Sequence, residues 1–467
     1  MPETCRQLDR KLDALLTRRS SHGRLRKLSN ALPGSVDFSS NGYLSLSTNP
    51  VVQKSLLACL AAEVSASEDG KRPCGSRRSI LGSGGSRLLD GNSPFAESLE
   101  SKIAAFHGAE TALLFTSAYD ANCGLLGCVP QIGDVILYDE LIHASVHDGM
   151  RMSRATKKIP FAHDSISEAS RPRCIGGSLS CWQSKNQGLE DTLRQISENE
   201  HVRSGRSNVF ICVEGLYSMD GDTVSLDEVV RSVDRHLPSG NGYIVVDEAH
   251  SVGIFGDDGR GLVCQLGLED RVWARVVGFG KAMGCAGGVV LCSSTTRAYL
   301  INYARSLIYT TSMAFTSLAS IDVVYSYLRD GGIGLLRQRL ESLIHYTHHR
   351  LSALCRQLQV DQRTLHIQEV PSKSPVIPVF TAYPRDLAEH CQRSGYMVRP
   401  IVAPTVPAGS ERVRICLHSA NTTGEIDGLC KVIGMWIQDR AAAGRGGTED
   451  DKVAELRNVF RWYKPRL

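Results

Sequence analysis

The amino-acid sequence predicts an α/β protein: a large, mostly parallel sheet sandwiched by helices, followed by a small C-terminal α/β domain. Three observations support this prediction. Short apolar runs alternate with longer polar or helical stretches through the middle of the chain. Most of these runs are apolar on both faces, which is typical of strands covered by helices on two sides. From about residue 375 the strand-like runs become shorter and accompany a helical stretch.

Six apolar runs are the predicted strands of the large sheet. They are ALLFTS (112–117), DVILYDE (134–140), NVFICVEG (208–215), GYIVVDEAH (242–250), ARVVGFGK (274–281) and AGGVVLCS (286–293). Functional residues of such sheets gather at the carboxyl ends of the strands. The polar residues that follow these runs are therefore the first candidates for a site.

Four segments of the chain are expected. They are an N-terminal helical segment (1–60), a large domain (61–312), a small domain (313–440), and a flexible linker with a short basic tail (441–467). Leucines at positions 8, 12, 15 and 16 recur at helical spacing and predict an amphipathic helix within 1–30. Residues 65–80 and 166–190 are polar and predict irregular structure.

Composition excludes several classes of protein. The chain has 467 residues, of which 42% are hydrophobic, and this is enough for two or three domains. The net charge is +4 without a basic block, so no nucleic-acid partner is expected. No apolar run is long enough to cross a bilayer, and the N-terminus lacks the apolar core of a secretory signal. The 15 cysteines contain no C-x2-C pair, which predicts a reducing compartment, no disulfide framework and no zinc site.

Asp247 ends the strand-like run YIVVD, and His250 follows three residues later. A buried, ionised carboxylate needs a partner because leaving it unpaired is costly. A protonated pyridine nitrogen is one such partner. Two alternatives stay open at this point: the metal-binding DEAH motif of helicase-type NTPases, and a solvated loop after a strand. The helicase interpretation requires an upstream G-x-x-x-x-G-K-[ST] loop, which neither GSGGSRLLDG nor GFGKAMG matches.

Lys281 follows the predicted strand ARVVGFG and is surrounded by Gly278, Gly280 and Gly284. Glycines let the backbone approach a ligand closely. A lysine here, one strand after Asp247, suits a Schiff base with an aldehyde cofactor. The alternative is an ordinary surface lysine in a glycine-rich turn.

Other polar residues near predicted strands are weaker candidates. His143 follows one strand and could stack on a flat ring, although a lone histidine is more often structural. Tyr119 and Asn122 begin a helix, whose N-terminus is a ready phosphate site. Arg414 lies in an apolar strand of the small domain, where it could bind a substrate carboxylate or form an internal salt bridge.

Taken in order, these segments resemble the α-oxoamine synthase family of fold-type I pyridoxal-phosphate (PLP) enzymes. The resemblance runs from about SVDFSSNGYLSL (35–46) to about Ile437. It is carried by GSGGSRLLDGNSP, ALLFTSAYDAN, HASVHDG, VEGLYSMDGD, VVDEAHSVGIFG, GFGKAMGCAGG, YTTSM and PTVPAGSERVRICL. The order of these motifs decides against the helicase interpretation.

The resemblance implies PLP as the cofactor and gives matching residues their roles. Lys281 would form the Schiff base, Asp247 would pair with the pyridinium nitrogen, and His250 would bond the phenolic oxygen of the ring. His143 would stack on the ring face, and Ser218 would lie beside the cofactor.

The resemblance also places residues at the cofactor phosphate. Ala118 and Tyr119 would lie there, and Thr310 and Thr311 would reach it from the second subunit of a homodimer. Two positions depart from the family, which usually has a hydroxyl residue where Gly278 stands and glycine where Ala118 stands. Both departures bear on phosphate affinity, and neither removes a residue needed for bond making.

The reaction that the resemblance implies is condensation of an amino acid with an acyl-CoA, with loss of CO2. Arg414 would hold the amino-acid carboxylate, with Asn41 nearby. GSGGSRLLDGNSP and PTVPAGSERVRICL most resemble the members that join L-alanine to pimeloyl-CoA in biotin biosynthesis, giving 8-amino-7-oxononanoate. The alternatives are a specialised-metabolism member with another acyl-CoA, a glycine- or serine-dependent member, and a non-catalytic partner subunit. The retained Lys281, Asp247, His250 and His143 argue against the last of these.

The C-terminal residues Pro465-Arg466-Leu467 bear on location. Peroxisomal addresses end in S-K-L-type tripeptides. Arg466 and Leu467 fit the basic and aliphatic positions, whereas Pro465 fits less well than serine. The sequence therefore favours the peroxisome over the cytosol, with an ordinary basic C-terminus of a cytosolic enzyme as the alternative.

Overall fold

The computed structural model describes residues 3–21, 25–26, 28, 30–68, 80–167 and 184–446. It divides the chain into two compact units, Met1–Val36 and Asp37–Leu467. The first unit contains helix α1 (Glu3–Ser21), which confirms the helix predicted within 1–30. The predicted domain boundaries after residues 60, 312 and 440 remain predictions.

Strands and helices alternate through most of the chain. The strands are β1 (Val36–Asp37), β2 (Thr111–Phe115), β3 (Val135–Asp139), β4 (Lys157–Phe161), β5 (Val209–Glu214), β6 (Gly242–Asp247), β7 (Ala274–Gly278), β8 (Gly288–Cys292), β9 (His366–Ile367), β10 (Val376–Phe380), β11 (Tyr396–Met397), β12 (Arg399–Ile401) and β13 (Arg412–Cys416). The helices after α1 are α2 (Pro50–Glu68), α3 (Pro94–Phe106), α4 (Ala118–Cys128), α5 (Ala144–Met152), α6 (Leu189–Ser197), α7 (Glu200–Arg203), α8 (Leu226–His236), α9 (Leu262–Gln265), α10 (Ser294–Tyr303), α11 (Arg305–Ile308), α12 (Phe315–Arg329), α13 (Gly334–Gln357), α14 (Pro384–Arg393) and α15 (Thr423–Gly446).

The large sheet has seven strands in the order β2-β8-β7-β6-β5-β3-β4. Strand β8 is antiparallel to both of its neighbours, and the other pairs are parallel. Every residue of β5, β7 and β8 is buried, as both-face apolar runs require. The six predicted strands and the mostly parallel sheet are therefore confirmed.

Strand β4 was not predicted from the sequence. It is the edge strand of the large sheet, and its first two residues, Lys157 and Lys158, are exposed. Exposed lysines are common on edge strands because they oppose pairing with another chain. The segment KKIPF consequently lacks the apolar run by which the other strands were identified.

The sheet brings the carboxyl ends of its parallel strands to one edge. Asp247 is the last residue of β6, and Glu214, the last residue of β5, is its register partner. Lys281 follows β7 by three residues, and His143 follows β3 by four. The candidate residues therefore meet where a doubly wound sheet places its ligands.

The small sheet has four antiparallel strands in the order β12-β13-β10-β9. Arg414 lies in the middle of β13, opposite Pro378 of β10 and Arg399 of β12. Helix α15 continues to Gly446, so the predicted flexible linker is wrong over residues 441–446. Its Ala-rich run favours continuation of the helix.

Helix α2 extends to Glu68, so the irregular structure predicted from residue 65 is wrong over 65–68. Residues 69–79 and 168–183, which make up most of the two predicted irregular stretches, lie outside the described residues. Within the described ranges, no helix combines the length and apolar character needed to span a membrane.

Candidate active site

Asp247 is the centre of the site and is held from two sides. Its side chain is buried, with its residue 7% exposed. One carboxylate oxygen accepts a hydrogen bond from Asn122 Nδ2 at 2.7 Å, and the other accepts from the Ala249 backbone N–H at 2.9 Å. Asn122 Nδ2 also donates to Ser145 Oγ at 3.0 Å. These contacts fix the orientation of the carboxylate.

Lys281 lies in a tight turn between the antiparallel strands β7 and β8. The Gly284 backbone N–H donates to the Lys281 carbonyl at 2.9 Å, and Gly284 has a φ of +65°. A side chain at Gly284 would lie 2.7 Å from the Ser47 backbone nitrogen, so this turn requires glycine. Burial lowers the pKa of Lys281, and the nearby Asp247 carboxylate offsets this effect only in part.

His143 is the N-cap of helix α5 and belongs to the same cluster. Its Nδ1 accepts from the Ser145 backbone N–H at 3.2 Å and lies 2.7 Å from Ser145 Oγ. Burial lowers the pKa of His143 and outweighs the attraction of Asp247. The imidazole is therefore predominantly neutral near pH 7 and available for ring stacking or proton transfer.

His250 is buried beside Tyr43. Its Nδ1 lies 2.9 Å from the Tyr43 hydroxyl, which also approaches Asn41 Oδ1 at 3.3 Å. Burial, then the positive charges of Lys281 and Arg414, lower the pKa of His250 well below its usual value. The neutral ring can use its other nitrogen towards a ligand.

Glu214 is a residue of this cluster that the sequence interpretation missed. Burial and then repulsion from Asp247 raise the pKa of Glu214 well above its usual value, which favours its protonated form. The only sequence signal was a carboxylate at the end of the both-face apolar run VFICVE. That signal has the same form as the one that identified Asp247.

The N-terminus of α4 lies against glycines of β7 and β8. A Cβ at Gly288 would lie 2.7 Å from Ala118 Cα, so glycine allows this close approach. A Cβ at Gly278 would lie 2.9 Å from the Ala249 Cβ and 3.2 Å from the Ala118 Cβ. The two departures from the family therefore meet in space, because the Ala118 methyl group borders the volume that a larger residue at Gly278 would need.

Arg414 reaches from the small sheet to two backbone carbonyls. Its Nη1 donates to the Ser218 carbonyl at 3.1 Å and its Nη2 to the Ser39 carbonyl at 3.4 Å. Its Nε is buried with no hydrogen-bond partner among the described residues. A guanidinium with spare donors beside a site is suited to a carboxylate ligand. Asn41 lies close by, 3.9 Å from Cys416 Sγ of the same strand as Arg414.

Thr310 and Thr311 lie in the segment between α11 and α12. The next residue, Ser312, hydrogen-bonds the loop that contains Gly85 and Gly91. Its backbone N–H donates to the Gly85 carbonyl at 2.9 Å, and its hydroxyl donates to the Gly91 carbonyl at 2.6 Å. No contact described in the structure joins either threonine to Lys281. Tyr119 is 41% exposed, hydrogen-bonds Asp148, and lies edge-on to the His143 ring with centroids 6.2 Å apart.

The arrangement fits PLP. A lysine amine with a lowered pKa can bond an aldehyde, and an oriented carboxylate can pair with a pyridinium nitrogen. The N-terminal N–H groups of α4 can bind a phosphate where Gly288 lets the helix approach the sheet. Among the described residues, no cluster of three or more His, Cys, Asp or Glu side chains could hold a metal ion.

The amino-acid sequence is similar to known proteins along most of its length. The model of the family described as aminotransferase class I and II matches residues 34–433. The 8-amino-7-oxononanoate synthase of Emericella nidulans is 47% identical over 414 residues, which cover 88% of this chain and 92% of that protein. An aminoacyl transferase, sphA, of Aspergillus fumigatus is 33% identical over 423 residues, which cover 88% of this chain and 83% of that protein.

A solved structure of a serine palmitoyltransferase variant from S. paucimobilis, with bound PLP and myriocin, has the same fold. The TM-score is 0.70 at 22% identity, with 91% of this chain and 96% of that chain covered. At this identity the likeness concerns the fold alone.

Proposed function

Because the chain belongs to the class I and II aminotransferase family, and within it to the α-oxoamine synthases, we propose that it condenses L-alanine with pimeloyl-CoA to give 8-amino-7-oxononanoate. The chain is a fold-type I enzyme, a PLP-dependent acyltransferase. The observation that carries the choice of substrates is its similarity along 88% of its length to the 8-amino-7-oxononanoate synthase of Emericella nidulans. This product would place it in biotin biosynthesis.

The residues of the site divide the chemistry among them. Bound PLP supplies an electron sink that stabilises negative charge on the α-carbon of the amino acid. Lys281, with its lowered pKa, removes the α-proton and later returns a proton to the same carbon. Asp247 would hold PLP by pairing with its pyridinium nitrogen and would keep that nitrogen protonated, and His143 would offer the cofactor a neutral imidazole.

At the α-carbon of the amino acid, each bond that breaks is replaced by a new bond. That carbon forms a bond to the thioester carbonyl of the acyl-CoA, and the carbon–sulfur bond breaks to release CoA. The bond to the carboxyl carbon then breaks to release CO2, and a proton replaces it. Arg414 holds the amino-acid carboxylate during the first of these steps and is oriented for it by the Ser218 and Ser39 carbonyls.

Replacing Arg414 with alanine is expected to weaken amino-acid binding at least roughly tenfold, since a charge-assisted pair is typically worth about 1.5–3 kcal/mol. The apparent KM for L-alanine should rise while the KM for the acyl-CoA changes little. Steady-state kinetics with each substrate varied in turn measure both values. The matched control is Arg339→Ala, which removes a guanidinium bonded to the Asn421 carbonyl at 2.9 Å and should leave both KM values unchanged. An unaltered alanine KM in the Arg414 variant would show that Arg414 has a structural role instead.

We propose a homodimer with composite sites, because the resemblance to the α-oxoamine synthases places Thr310 and Thr311 at the cofactor phosphate of the second subunit. Within one chain, the next residue, Ser312, bonds the carbonyls of Gly85 and Gly91. Mixing Lys281→Ala with Thr311→Ala subunits, after dissociation and reassembly, should give more activity than the two separate variants together. One intact site forms in each mixed dimer, since it takes its lysine and its threonine from different subunits. A mixture whose activity only averages the two parents, or a fully active monomer in light scattering, would contradict the composite site.

The substrate proposal is tested by a screen of acyl-CoAs against L-alanine, glycine and L-serine, following CoA release. We expect the highest kcat/KM with L-alanine and pimeloyl-CoA. The second candidate is an enzyme that uses another acyl-CoA or amino acid, and the 33% identity to the aminoacyl transferase sphA favours it. A clear preference for a different pair of substrates would replace the first proposal. If no pair of substrates leads to CoA release, both proposals are refuted.

We also propose that the enzyme resides in the peroxisome, on the grounds of Pro465-Arg466-Leu467, which lie outside the described residues. A fluorescent protein fused to the N-terminus should form puncta that coincide with a peroxisome marker. Deleting the three residues should make the signal diffuse. A diffuse signal from the intact fusion would assign the enzyme to the cytosol.

A further inference from the structure

A partly buried histidine, His163, bridges two carboxylates. His163 Nδ1 lies 3.0 Å from both oxygens of Asp139, and Nε2 lies 2.9 Å from Asp222 Oδ2. The side chain of Asp139 is 2% exposed and that of His163 is 16% exposed. The ring also packs edge-on against Tyr217, with centroids 4.5 Å apart.

The bridge requires a positively charged ring. A neutral imidazole has a single N–H and can donate to one carboxylate only, whereas an imidazolium donates to both. Burial by itself would lower the pKa of His163, but Asp139 and then Asp222 raise it well above its usual value. His163 is therefore a cation that joins two segments of the chain.

On one side the bridge anchors the turn that carries His143. The Asp139 carboxylate accepts from the Leu141 backbone N–H at 2.8 Å, and the Asp139 carbonyl accepts from the Ile142 N–H at 3.0 Å. His143 comes next and caps α5. The position of Asp139 thus determines the position of the His143 backbone, from which the imidazole extends.

On the other side the bridge anchors the turn that carries Ser218. The Tyr217 N–H donates to the Asp222 carbonyl at 2.9 Å, and the Gly221 N–H donates to the Tyr217 carbonyl at 2.9 Å. Between them lies Ser218, whose carbonyl accepts from Arg414. The position of Asp222 thus determines the position of the Ser218 carbonyl, to which Arg414 donates.

We propose that His163 is a positioning residue that fixes the distance between the His143 turn and the Ser218 turn, and so orients Arg414 towards the amino-acid carboxylate. This inference rests on the proposed function, because it assigns Arg414 to an amino-acid substrate. Without the bridge, the buried Asp139 carboxylate and the partly buried Asp222 carboxylate would repel each other, and the two turns would separate. Amino-acid binding should then suffer more than cofactor binding.

Asp222→Asn is the principal test variant. It keeps the shape of the side chain and one acceptor but removes the charge that holds the imidazolium. The PLP-loaded protein is titrated with L-alanine, and the change in the visible absorption of the bound cofactor gives a dissociation constant without turnover. We expect this constant to rise roughly tenfold, because small misplacements of a positioned group cost about one to two orders of magnitude. The dissociation constant for PLP should change much less.

His163→Gln is the second variant, and His236→Gln is its matched control. His236 also pairs with a carboxylate, Glu190, at 3.5 Å, but on the far helix α8. We expect His163→Gln to weaken alanine binding at least as much as Asp222→Asn, and His236→Gln to leave it unchanged. If His163→Gln does not fold, Asp222→Asn alone decides. Hydrogen exchange of the cofactor-free protein should be faster over 216–224 in Asp222→Asn than in the wild type.

These measurements distinguish failure of the proposed function from failure of the proposed role of His163. A wild-type protein whose absorption does not respond to any amino acid would refute the proposed function. A wild-type protein that responds, alongside an Asp222→Asn variant with unchanged alanine affinity and unchanged exchange over 216–224, would overturn the role of His163. Equal weakening of alanine and PLP binding would also overturn it, because that result indicates general loss of structure.

Discussion

Replacing Lys281 with alanine is expected to abolish turnover. In the proposed reaction its amine both bonds the aldehyde cofactor and moves the α-proton, and its lowered pKa favours the free amine. Loss of a positioned general base typically costs about 10²–10⁴-fold, and loss of the covalent anchor adds to this. CoA release from L-alanine and pimeloyl-CoA should therefore fall at least about 10³-fold.

The control for this variant is Lys102→Ala. Lys102 is 49% exposed and forms a surface ion pair with Asp322, so its removal should change neither activity nor stability appreciably. The PLP content of the Lys281 variant should be measured alongside its rate. A Lys281→Ala protein with wild-type turnover would remove the basis of the proposed chemistry.

Replacing Asp247 is expected to have the second-largest effect. Asp247→Asn keeps the size of the side chain but removes the negative charge that would hold a proton on the pyridine nitrogen. We expect kcat to fall about 10²–10³-fold, the usual cost of deleting one preorganised electrostatic contact in a site. Asp247→Ala should lose more and should also weaken PLP binding, since Asn122 and the Ala249 N–H would lose their acceptor.

Rates and PLP dissociation constants of the Asp247 variants are best compared with those of Asp234→Asn. Asp234 is 54% exposed and pairs with Arg271 on the surface, so this control removes one carboxylate without touching the site. Near-normal turnover in Asp247→Asn would show that the carboxylate has a task other than supporting the electron sink.

Three of the site residues that the sequence predicted share one property. Asp247, Lys281 and His143 each follow an apolar run that is buried on both faces, and such runs are recognisable without a structure. These runs become β6, β7 and β3, which run parallel in one sheet. Their carboxyl ends therefore meet at one edge of that sheet. The sheet could be anticipated for the same reason, because helices alternate with strands throughout the large domain.

The residues that were missed depend on contacts between distant segments. Glu214 joins the cluster through its register with Asp247, and His163 reaches Asp139 and Asp222 across 24 and 59 positions of sequence. Glu214 does end an apolar run, as Asp247 does, but nothing local shows that the two carboxylates are register partners, and the contacts of His163 leave no local pattern at all. His163 moreover follows the partly exposed edge strand β4, which the sequence pattern did not reveal.

The departures at Gly278 and Ala118 could be seen in the sequence but not explained there. Each position by itself gives the impression of a weakened phosphate site. The structure shows that the two lie against each other, since a Cβ at Gly278 would come within 3.2 Å of the Ala118 methyl group. The spatial relation between the end of β7 and the start of α4 is therefore what relates these two substitutions.

The central claim is that Lys281 carries PLP, and its most direct test is reduction of the purified, PLP-loaded protein with borohydride followed by peptide mapping. Reduction fixes the lysine–cofactor bond, so the added mass marks the residue that bears it. We expect the label on the peptide that contains Lys281, and we expect added L-alanine to lower its yield. A label on a different lysine, or no label on a protein with stoichiometric PLP, would show that Lys281 does not carry the cofactor.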